Sequence, residues 1–450
     1  MPRTVRRRRA PLRSPGRAIA ASFAATIAAG TGVLMLPAST SGPESASWLD
    51  ALFTATSAVC VTGLVTVDTG SYWSPFGQVV ILALIQLGGL GLMTVSSLLV
   101  VLVSRRLGLR ARLVAQAQSR TLDAADIRRV IRNVVVFSIA AELVVTTVLA
   151  VRFGLAHAMP PGRALWEGLF HAISAFNNAG FGLRPDSLVP YAGDAWILLT
   201  VALAVIVGGL GFPVVFELAR AWRRPRTWSV TTRITVIVTG VLLVLGTVLF
   251  LVLERDNPAT LGAHPPAGRL LLGFFSAVMP RTAGFNALDV AALTPETWLV
   301  TDILMFIGGG SAGTAGGIKV TTFGLLAFVL WSEIRGEPDV DVGQRRVPAE
   351  NQRQALAVVL LGVGITAIAT LVLQATTDLD LDRVLFECVS ALGTVGLSTG
   401  ITATLPAPAQ VVLVLLMFLG RLGPLTVASA LALRTRQRHY RRPEERTIIG

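Results

Sequence analysis

Four short segments of this sequence share one pattern: a phenylalanine, then ten residues later a glycine that is followed by Leu or Phe. The segments are FTATSAVCVTGL from Phe53, FHAISAFNNAGF from Phe170, FFSAVMPRTAGF from Phe274 and FECVSALGTVGL from Phe386. A self-similar unit constrains an architecture more than any single motif does. About ten helical residues reach only about 15 Å, half the thickness of a hydrocarbon core. Each segment is therefore predicted to enter a membrane as a half-length helix and to turn back at its glycine.

Longer apolar runs flank each of these segments. Runs long enough to cross a bilayer occur near residues 18–37, 78–103, 133–151, 195–219, 231–253, 297–330, 355–374 and 409–433. Within the second run of each unit lies a further glycine cluster, at Gly88–Gly91, Gly208–Gly211, Gly308–Gly310 and Gly420–Gly423. The predicted fold is an all-α polytopic membrane protein with four tandem helix–pore-loop–helix repeats and eight transmembrane helices.

The net charge of +13 would suggest nucleic-acid binding in a soluble protein, but the positions of the charges exclude that function. Most Lys and Arg residues lie in the N-terminus (1–17), in three connections (104–132, 220–230 with its flanks, and 331–354) and in the C-terminus (434–450). By the positive-inside rule these five segments are predicted to be cytoplasmic. They separate pore repeats 1 to 4, at 18–103, 133–219, 231–330 and 355–433.

The glycine turns bear on function. A loop that enters a membrane and returns leaves backbone groups unpaired, which is tolerated only where the backbone is buried in protein or lines a wet cavity. Glycine at the turn permits positive φ, so that successive carbonyl oxygens can point at one axis and replace the hydration shell of a potassium ion. Four such loops are predicted to form the walls of one pore. The alternative is an ion-coupled secondary transporter of a small solute, in which broken helices create the binding site.

The sequence contains none of the motifs of the common hydrolases or nucleotide-binding proteins. HExxH, GxxxxGK[ST] and a serine nucleophile elbow are all lacking, and the four histidines are scattered. The two cysteines, Cys60 and Cys388, lie in apolar segments and are predicted to be small buried hydrophobes. The chain is therefore predicted not to be an enzyme, to need no cofactor, and to depend on another chain for any control by nucleotide.

Several motifs together resemble one family. TSAVCVTGLVTVDTG, SAFNNAGF, PRTAGFN, GGGSAGTAGGIKVTT and LGTVGLSTG followed by LGRLGPLT are similar to segments of the Trk/Ktr/HKT superfamily of potassium uptake proteins. The resemblance covers nearly the whole chain. Subunits of the Trk type commonly carry two extra N-terminal helices, whereas here the first span begins near residue 18, so the Ktr-type membrane subunit is favoured. It implies pseudo-fourfold symmetry around one pore per protomer, a homodimer in the cell membrane, possible sodium activation, and a cytosolic RCK-type regulatory subunit that binds nucleotide.

The resemblance also implies which backbone carbonyls form the potassium filter. They are those of Val61, Thr62 and Gly63, of Asn178, Ala179 and Gly180, of Thr282, Ala283 and Gly284, and of Thr394, Val395 and Gly396. In plant relatives a serine at the first filter glycine is associated with sodium selectivity. Gly63 at that position therefore favours potassium.

A glycine-rich run interrupts the second apolar span of repeat 3, and the resemblance implies that it is an intramembrane gating loop (308–317). The implied gate consists of Gly308, Gly309, Gly310, Ser311, Gly313, Thr314, Gly316, Gly317, Lys319 and Arg421. A flexible kink with Lys319 reaching the membrane interface is the alternative for the run. For Arg421 the alternative is a residue satisfied by helix-end carbonyls and by an acid on a neighbouring helix, with Glu142 and Asp302 as candidates.

Acidic residues follow the filter glycine by five or six positions in three repeats. They are Asp68, Asp186 and Asp289. Carboxylates at an outer mouth can concentrate cations by focusing the local field, whereas the same residues are common as caps of solvated turns. Both roles fit, and Arg184 beside Asp186 would weaken the first of them.

Overall fold

The computed structural model describes residues 15–106, 124–343 and 345–433, and its regular structure there is almost entirely helical. The α-helices, numbered in chain order, are α1 (Pro15–Leu34), α2 (Trp48–Cys60), α3 (Pro75–Arg106), α4 (Ala124–Ala156), α5 (Pro161–Phe176), α6 (Ala195–Leu210), α7 (Phe212–Ala221), α8 (Val230–Leu253), α9 (Pro266–Val278), α10 (Pro295–Phe306), α11 (Val320–Arg335), α12 (Ala349–Gln374), α13 (Leu381–Gly393) and α14 (Ala407–Leu433). Short 3-10 turns lie at Pro37–Ser39, Val189–Tyr191, Pro225–Thr227, Leu261–Ala263, Val290–Ala292 and Thr402–Thr404. One antiparallel hairpin pairs β1 (Asp341–Val342) with β2 (Arg345–Arg346).

The helices form four successive units, each with an outer helix, a short pore helix and an inner helix or pair of helices. The units are α1 to α3, α4 to α7, α8 to α11 and α12 to α14. The pore helices α2, α5, α9 and α13 contain 13, 16, 13 and 13 residues. At 1.5 Å per residue they are about 20 to 24 Å long, too short to cross a core of about 30 Å. The predicted fold class, four tandem helix–pore-loop–helix repeats, is confirmed.

Residues at the N-termini of three pore helices favour the start of a helix. The Ser47 side chain caps α2 by accepting a hydrogen bond from the Asp50 N–H at 3.1 Å, which satisfies one of the free donors of the first turn. Helices α5 and α9 begin at Pro161 and Pro266. Proline suits the first helical position because its φ is already helical and the missing N–H would be unpaired there anyway.

Four described helices are long and apolar enough to span a membrane alone. Their apolar parts are Pro75–Thr94, Ile131–Ala156, Val230–Leu253 and Ala349–Gln374. The apolar parts described for α1 and α14, Ile19–Leu34 and Ala407–Gly423, are shorter, and the span of repeat 3 is divided between α10 and α11. Within these apolar parts, only 22–28% of the residues of the outer helices α4, α8 and α12 are buried, against 56% of those of the inner helix α3. The outer helices therefore present most of their apolar surface to lipid.

The span predicted over residues 195–219 is not one straight helix. It breaks at Gly211, and α6 and α7 meet at an angle of 101°, which makes up a fifth, bent span. Gly211 has a φ of 92°, which an α-helix cannot continue, and the nearby Pro213 has no N–H for the helical hydrogen bond. The prediction located the glycine cluster but missed the bend.

Glycines within three inner helices allow close packing on the pore helices. A Cβ added at Gly88, Gly208 or Gly420 would overlap a carbonyl oxygen, that of Val59, Phe176 or Leu392 respectively. These three carbonyls belong to residues that lie six positions after the repeat phenylalanine in repeats 1, 2 and 4. The same contact therefore recurs in three units, while in repeat 3 Gly308 lies instead against the Gly316 carbonyl of its own loop.

The pore helices are buried in the core of the protein. Phe53, Phe170 and Phe386 are fully buried, whereas in repeat 3 the buried ring is Phe275 and Phe274 is only half-buried. Cys60 and Cys388 are also fully buried, as predicted. Because a half-length helix cannot be anchored by both membrane surfaces, this burial is what fixes the position of the loop that follows it.

A serine near the end of the pore helix holds the loop in two repeats. The N–H of Gly63 donates to the Ser57 hydroxyl at 3.0 Å, and the N–H of Gly396 donates to the Ser390 hydroxyl at 3.1 Å. In repeat 2 the matching hydroxyl, Ser174, is buried and has no hydrogen-bond partner among the described residues. Repeat 3 has Val278 at this position. The two serines therefore satisfy glycine N–H groups that would otherwise be unpaired.

This difference between repeats gives a matched pair of variants. We expect Ser57→Ala to lower the free energy of unfolding by about 1–3 kcal/mol, since it leaves the buried Gly63 N–H without an acceptor. Ser174→Ala removes a hydroxyl that has no partner and should change stability by less than about 0.5 kcal/mol. Thermal unfolding of the purified protein in detergent compares the two. Equal losses would show that the Ser57 hydroxyl does not hold the loop.

Candidate functional site

The four loops that follow the pore helices share an unusual backbone conformation. The first residue of each predicted filter segment has a left-handed φ: 56° at Val61, 58° at Asn178, 70° at Thr282 and 51° at Thr394. The glycine two positions on is also positive: 96° at Gly63, 70° at Gly180, 72° at Gly284 and 95° at Gly396. The residue between them does not have a positive φ; in the four repeats it is Thr62, Ala179, Ala283 and Val395. Alternation of the sign of φ turns successive carbonyl oxygens to one side of the chain, which a regular strand cannot do.

The four glycines lie together in one closed ring. A Cβ added at Gly63 would lie 2.5 Å from the Ala179 carbonyl oxygen, and one at Gly180 would lie 2.7 Å from that of Ala283. In the same way Gly284 packs on the Val395 carbonyl and Gly396 on the Thr62 carbonyl. Repeat 1 thus contacts repeat 2, repeat 2 contacts repeat 3, repeat 3 contacts repeat 4, and repeat 4 contacts repeat 1. This cyclic order is pseudo-fourfold symmetry around a single axis, and it leaves no room for a side chain at any of the four positions.

The pore helices direct their C-terminal ends at this ring. Helices α2, α5, α9 and α13 each end within four residues of the first residue of a filter segment. The backbone N–H groups of Thr62, Ala179 and Val395 donate to pore-helix carbonyls at 2.7–2.9 Å. Since a helix carries partial negative charge at its C-terminus, four such ends favour a cation at the ring.

A wide cavity opens on one side of the ring. Its volume is about 720 Å³, and all four filter glycines and the three predicted outer-mouth acids, Asp68, Asp186 and Asp289, line it. Asp68 accepts a hydrogen bond from the Ser71 N–H at 2.8 Å, and Asp289 accepts one from the Ala291 N–H at 3.0 Å. These two acids therefore cap turns and also contribute negative charge to the cavity.

Sequence analysis missed one acid near the ring. Glu387, fully buried in α13, accepts hydrogen bonds from the Ser398 hydroxyl, the Thr399 N–H at 3.1 Å and the Thr402 hydroxyl at 2.9 Å. It thereby fixes the loop that follows the fourth filter segment. The signal in the sequence was an acid directly after the repeat phenylalanine, in an otherwise apolar pore helix.

A glycine-rich loop lies against the opposite side of the ring. Residues 307–319 between α10 and α11 are not helical, and the Gly308 N–H donates to the Ile318 carbonyl at 2.8 Å to close the loop at its base. Gly316 lies against the Thr394 side chain and Gly317 against Gly393. Because Thr394 begins its filter segment and Gly396 faces the wide cavity, the loop lies on the side of the ring away from that cavity.

Backbone hydrogen bonds attach this loop to the break in repeat 2. The Gly310 N–H donates to the Gly209 carbonyl at 2.8 Å, and the Thr314 N–H donates to the Gly208 carbonyl at 3.1 Å. Gly313 packs against the same two carbonyls. The Gly209 carbonyl is available because its helical partner would be the N–H that Pro213 lacks. The bend of α6 and α7 thus supplies the acceptors that hold the loop.

Arg421 is buried beside the loop, with a relative exposure of 2%. Its guanidinium donates to the Thr314 carbonyl and, at 3.3 Å, to the Gly88 carbonyl. Neither candidate acid contacts it: Glu142 binds Gln86 at 3.0 Å and Asn177 at 3.1 Å, and Asp302 Oδ1 has no partner among the described residues. Backbone carbonyls therefore accept the hydrogen bonds of Arg421, as one part of the alternative reading expected, and the acid partner that the same alternative named is not observed.

Lys319 is folded back on the loop and does not reach outward. Its ammonium donates to the Ala315 carbonyl and, at 3.4 Å, to the Gly316 carbonyl. The Ser311 hydroxyl bonds the Thr321 hydroxyl at 2.8 Å, and the Gly309 carbonyl accepts from the Val320 N–H at 3.0 Å. The loop is therefore an ordered structure whose residues contact each other, repeat 2 and repeat 4.

Comparison with known proteins gives this arrangement a family. A family model described as "TrkH: Cation transport protein" matches residues 12–441. The chain is 39% identical to Ktr system potassium uptake protein B of Bacillus subtilis (strain 168), with 97% of each chain covered. It is 39% identical to the protein of the same name from Vibrio alginolyticus (89% and 88% covered) and 33% identical to Potassium/sodium uptake protein NtpJ of Enterococcus hirae (97% of each).

A solved structure shares the fold. The crystal structure of the potassium transporter TrkH from Vibrio parahaemolyticus matches with a TM-score of 0.69 at 20% identity, and the match covers 96% of this chain and 87% of that one. The four-repeat architecture, the family model over nearly the whole sequence and the similarity to the curated relatives agree with each other. The chain belongs to the TrkH cation transport family.

Proposed function

We propose that this protein takes up potassium ions across the cytoplasmic membrane through a channel-like pore whose selectivity filter is the ring of four glycine turns. The observation that carries the proposal is the closed cyclic order of the ring, in which each filter glycine packs on the carbonyl of the next repeat. The choice of ion is supported by the names of the relatives, each of which is called a potassium or potassium/sodium uptake protein. In this proposal the protein moves an ion and catalyses no reaction.

The filter works by exchanging water for carbonyl oxygens. A potassium ion that enters the wide cavity meets the carboxylates of Asp68, Asp186 and Asp289, which raise the local cation concentration. At the ring, carbonyls of the four filter segments replace its hydration shell. The C-terminal ends of the four pore helices stabilise the dehydrated cation through their dipoles.

The glycine-rich loop 308–317 is the gate, and its arrangement corresponds to a closed pathway. The loop lies against the side of the ring away from the wide cavity, in contact with repeat 2 and repeat 4, and the buried Arg421 places a fixed positive charge beside it. A positive charge in a low-dielectric passage raises the energy of a cation that approaches it. Conduction therefore requires the loop to move away from the ring.

The charged connections support an orientation of the protein in the membrane and a contact surface for the partners that the resemblance implies. The exposed arginines Arg223, Arg224, Arg226, Arg345 and Arg346 lie in the connections 220–230 and 331–354, and the positive-inside rule assigns these to the cytoplasm together with both termini. The connection 104–132 is also basic, although its residues 107–123 and both predicted terminal segments lie mainly outside the described residues. The cytoplasmic connections would receive the RCK-type regulatory subunit or anionic lipid. In this proposal the protein is a homodimer, and sodium activates its uptake.

Uptake by cells tests the function directly. Cells that lack their own potassium uptake systems should grow at low potassium and take up rubidium when they express this protein. The measurement is made with and without sodium, and again in competition with a panel of small solutes. Solute uptake without potassium or rubidium entry, from protein that is present in the membrane, would contradict the proposal and favour a secondary transporter.

The filter gives a sharper prediction. Gly63→Ser should lower the preference for potassium over sodium at least severalfold, because a side chain at φ 96° and 2.5 Å from the Ala179 carbonyl must displace the ring. Gly193→Ser is the matched control, since Gly193 is exposed and has nothing within 4 Å of an added Cβ. Competition between sodium and rubidium for uptake measures the ratio. An unchanged ratio in Gly63→Ser would show that this residue is not in the filter.

The gate gives a prediction about flux. Deletion of residues 313–317, or Arg421→Ala, should raise rubidium entry per protomer in liposomes at least tenfold, because each removes part of the obstruction. Arg269→Ala is the control, since Arg269 also bonds backbone carbonyls, at 2.7 and 3.0 Å, but lies in the pore helix of repeat 3 away from the loop. Flux at or below that of the natural protein in both variants, with assembly intact, would refute the gate.

A further inference from the structure

Thr314 is bonded through every polar group it has, and each bond goes to a different part of the protein. It has no exposed surface. Its N–H donates to the Gly208 carbonyl, its hydroxyl donates to the Asn178 Oδ1 at 2.8 Å, and its carbonyl accepts from Arg421. The three partners lie in the inner helix of repeat 2, the filter segment of repeat 2 and the inner helix of repeat 4.

The side chain of Thr314 bonds a residue of another repeat, whereas the other polar side chains of the loop bond within repeat 3. The Ser311 hydroxyl bonds Thr321 within repeat 3, and the Lys319 ammonium bonds carbonyls of the loop itself. Within the described part of the loop, Thr314 is therefore the residue whose side chain connects it to another repeat. Its hydroxyl also lies 3.3 Å from the carbonyl of Phe176, the last residue of the pore helix α5 of repeat 2.

Asn178 depends on this contact. Its side chain is 1% exposed, its amide Nδ2 has no partner among the described residues, and its Oδ1 accepts from Thr314. The backbone of Asn178 is the first of the filter segment and has a φ of 58°, a conformation that asparagine tolerates better than most residues. If the loop moves away, Oδ1 of Asn178 loses its donor, and an unpaired buried amide is costly.

We propose that the Thr314 hydroxyl and the Asn178 amide form a latch that fastens the gating loop to the selectivity filter and couples the position of the gate to the conformation of the second filter segment. Thr314 is a positioning residue in this account, since it acts through the loop and through Asn178. The latch rests on the proposed function, because it concerns the gate of the same pore.

Substitutions at position 314 separate the hydroxyl from the shape of the side chain. Thr314→Val keeps the shape and removes the hydroxyl, and it should raise basal rubidium entry into liposomes roughly tenfold, the effect of one lost hydrogen bond on a closed–open balance. Thr314→Ser keeps the hydroxyl and should behave as the natural protein does. Thr366→Val is the control for the loss of a buried hydroxyl elsewhere, since Thr366 bonds the Gly362 carbonyl at 3.0 Å within the outer helix α12.

A double variant tests whether the hydroxyl acts through Asn178. Asn178→Gly removes the amide and accepts the positive φ without strain. With Asn178→Gly already present, Thr314→Val should add less than twofold to the flux, because the contact is already lost. Independent, multiplying effects of the two substitutions would overturn the latch.

Hydrogen exchange supplies a readout that needs no transport. The amides of Gly310 and Thr314, which bond the carbonyls of Gly209 and Gly208, should exchange at least tenfold faster in Thr314→Val than in Thr314→Ser or Thr366→Val. Equal exchange in the three variants would overturn the latch whatever the flux.

The loop deletion distinguishes failure of the latch from failure of the pore. High flux in the deletion, with flux and exchange in Thr314→Val equal to those of the natural protein, would refute the latch and leave the pore standing. No flux in any variant, including the deletion, would refute the proposed function, and exchange at Gly310 and Thr314 would then decide alone whether Thr314 holds the loop.

Discussion

The structure depends on four loops that enter a membrane. Their backbone carbonyls cannot accept the regular hydrogen bonds that a helix would supply. Hydrocarbon offers no hydrogen-bond donors, so such carbonyls must face protein or a hydrated path. The chain meets this requirement by burying the four pore helices and bringing the loops together at a ring where glycine is the residue that fits. The ring in turn needs backbone angles that β-strands and helices do not provide, which explains the left-handed residues at matching positions of all four repeats.

Departures from symmetry fall in the repeats that form and contact the glycine-rich loop 308–317. Three inner helices pack a glycine on the pore-helix carbonyl six positions after the repeat phenylalanine, but in repeat 3 that helix is interrupted and Gly308 packs on its own loop. The break at Gly211 in repeat 2 then supplies acceptors for the loop from repeat 3, and repeat 4 contributes Arg421. The glycine-rich loop is thus held in place by three different modifications of one unit.

The sequence predicted the parts of this structure that recur and missed those that depend on single contacts. The spacing of phenylalanine and glycine located all four loops, because period and turn chemistry are local properties. The bend at Gly211, the role of the buried Glu387 and the identity of the carbonyls that Arg421 contacts could not be predicted, since each depends on which atoms a distant segment brings near. An acid partner was one alternative for Arg421, since buried charges are commonly paired, but the carbonyls of Thr314 and Gly88 accept its hydrogen bonds.

The central claim is that the four loops surround one cation path. Crystals of the protein grown in rubidium would test it most directly, because the anomalous scattering of rubidium locates the ion without reference to the protein. The account predicts density on the axis of the ring, within coordination distance of carbonyls from Thr62, Ala179, Ala283 and Val395 or their filter neighbours. Rubidium bound elsewhere, with none on that axis, would contradict it.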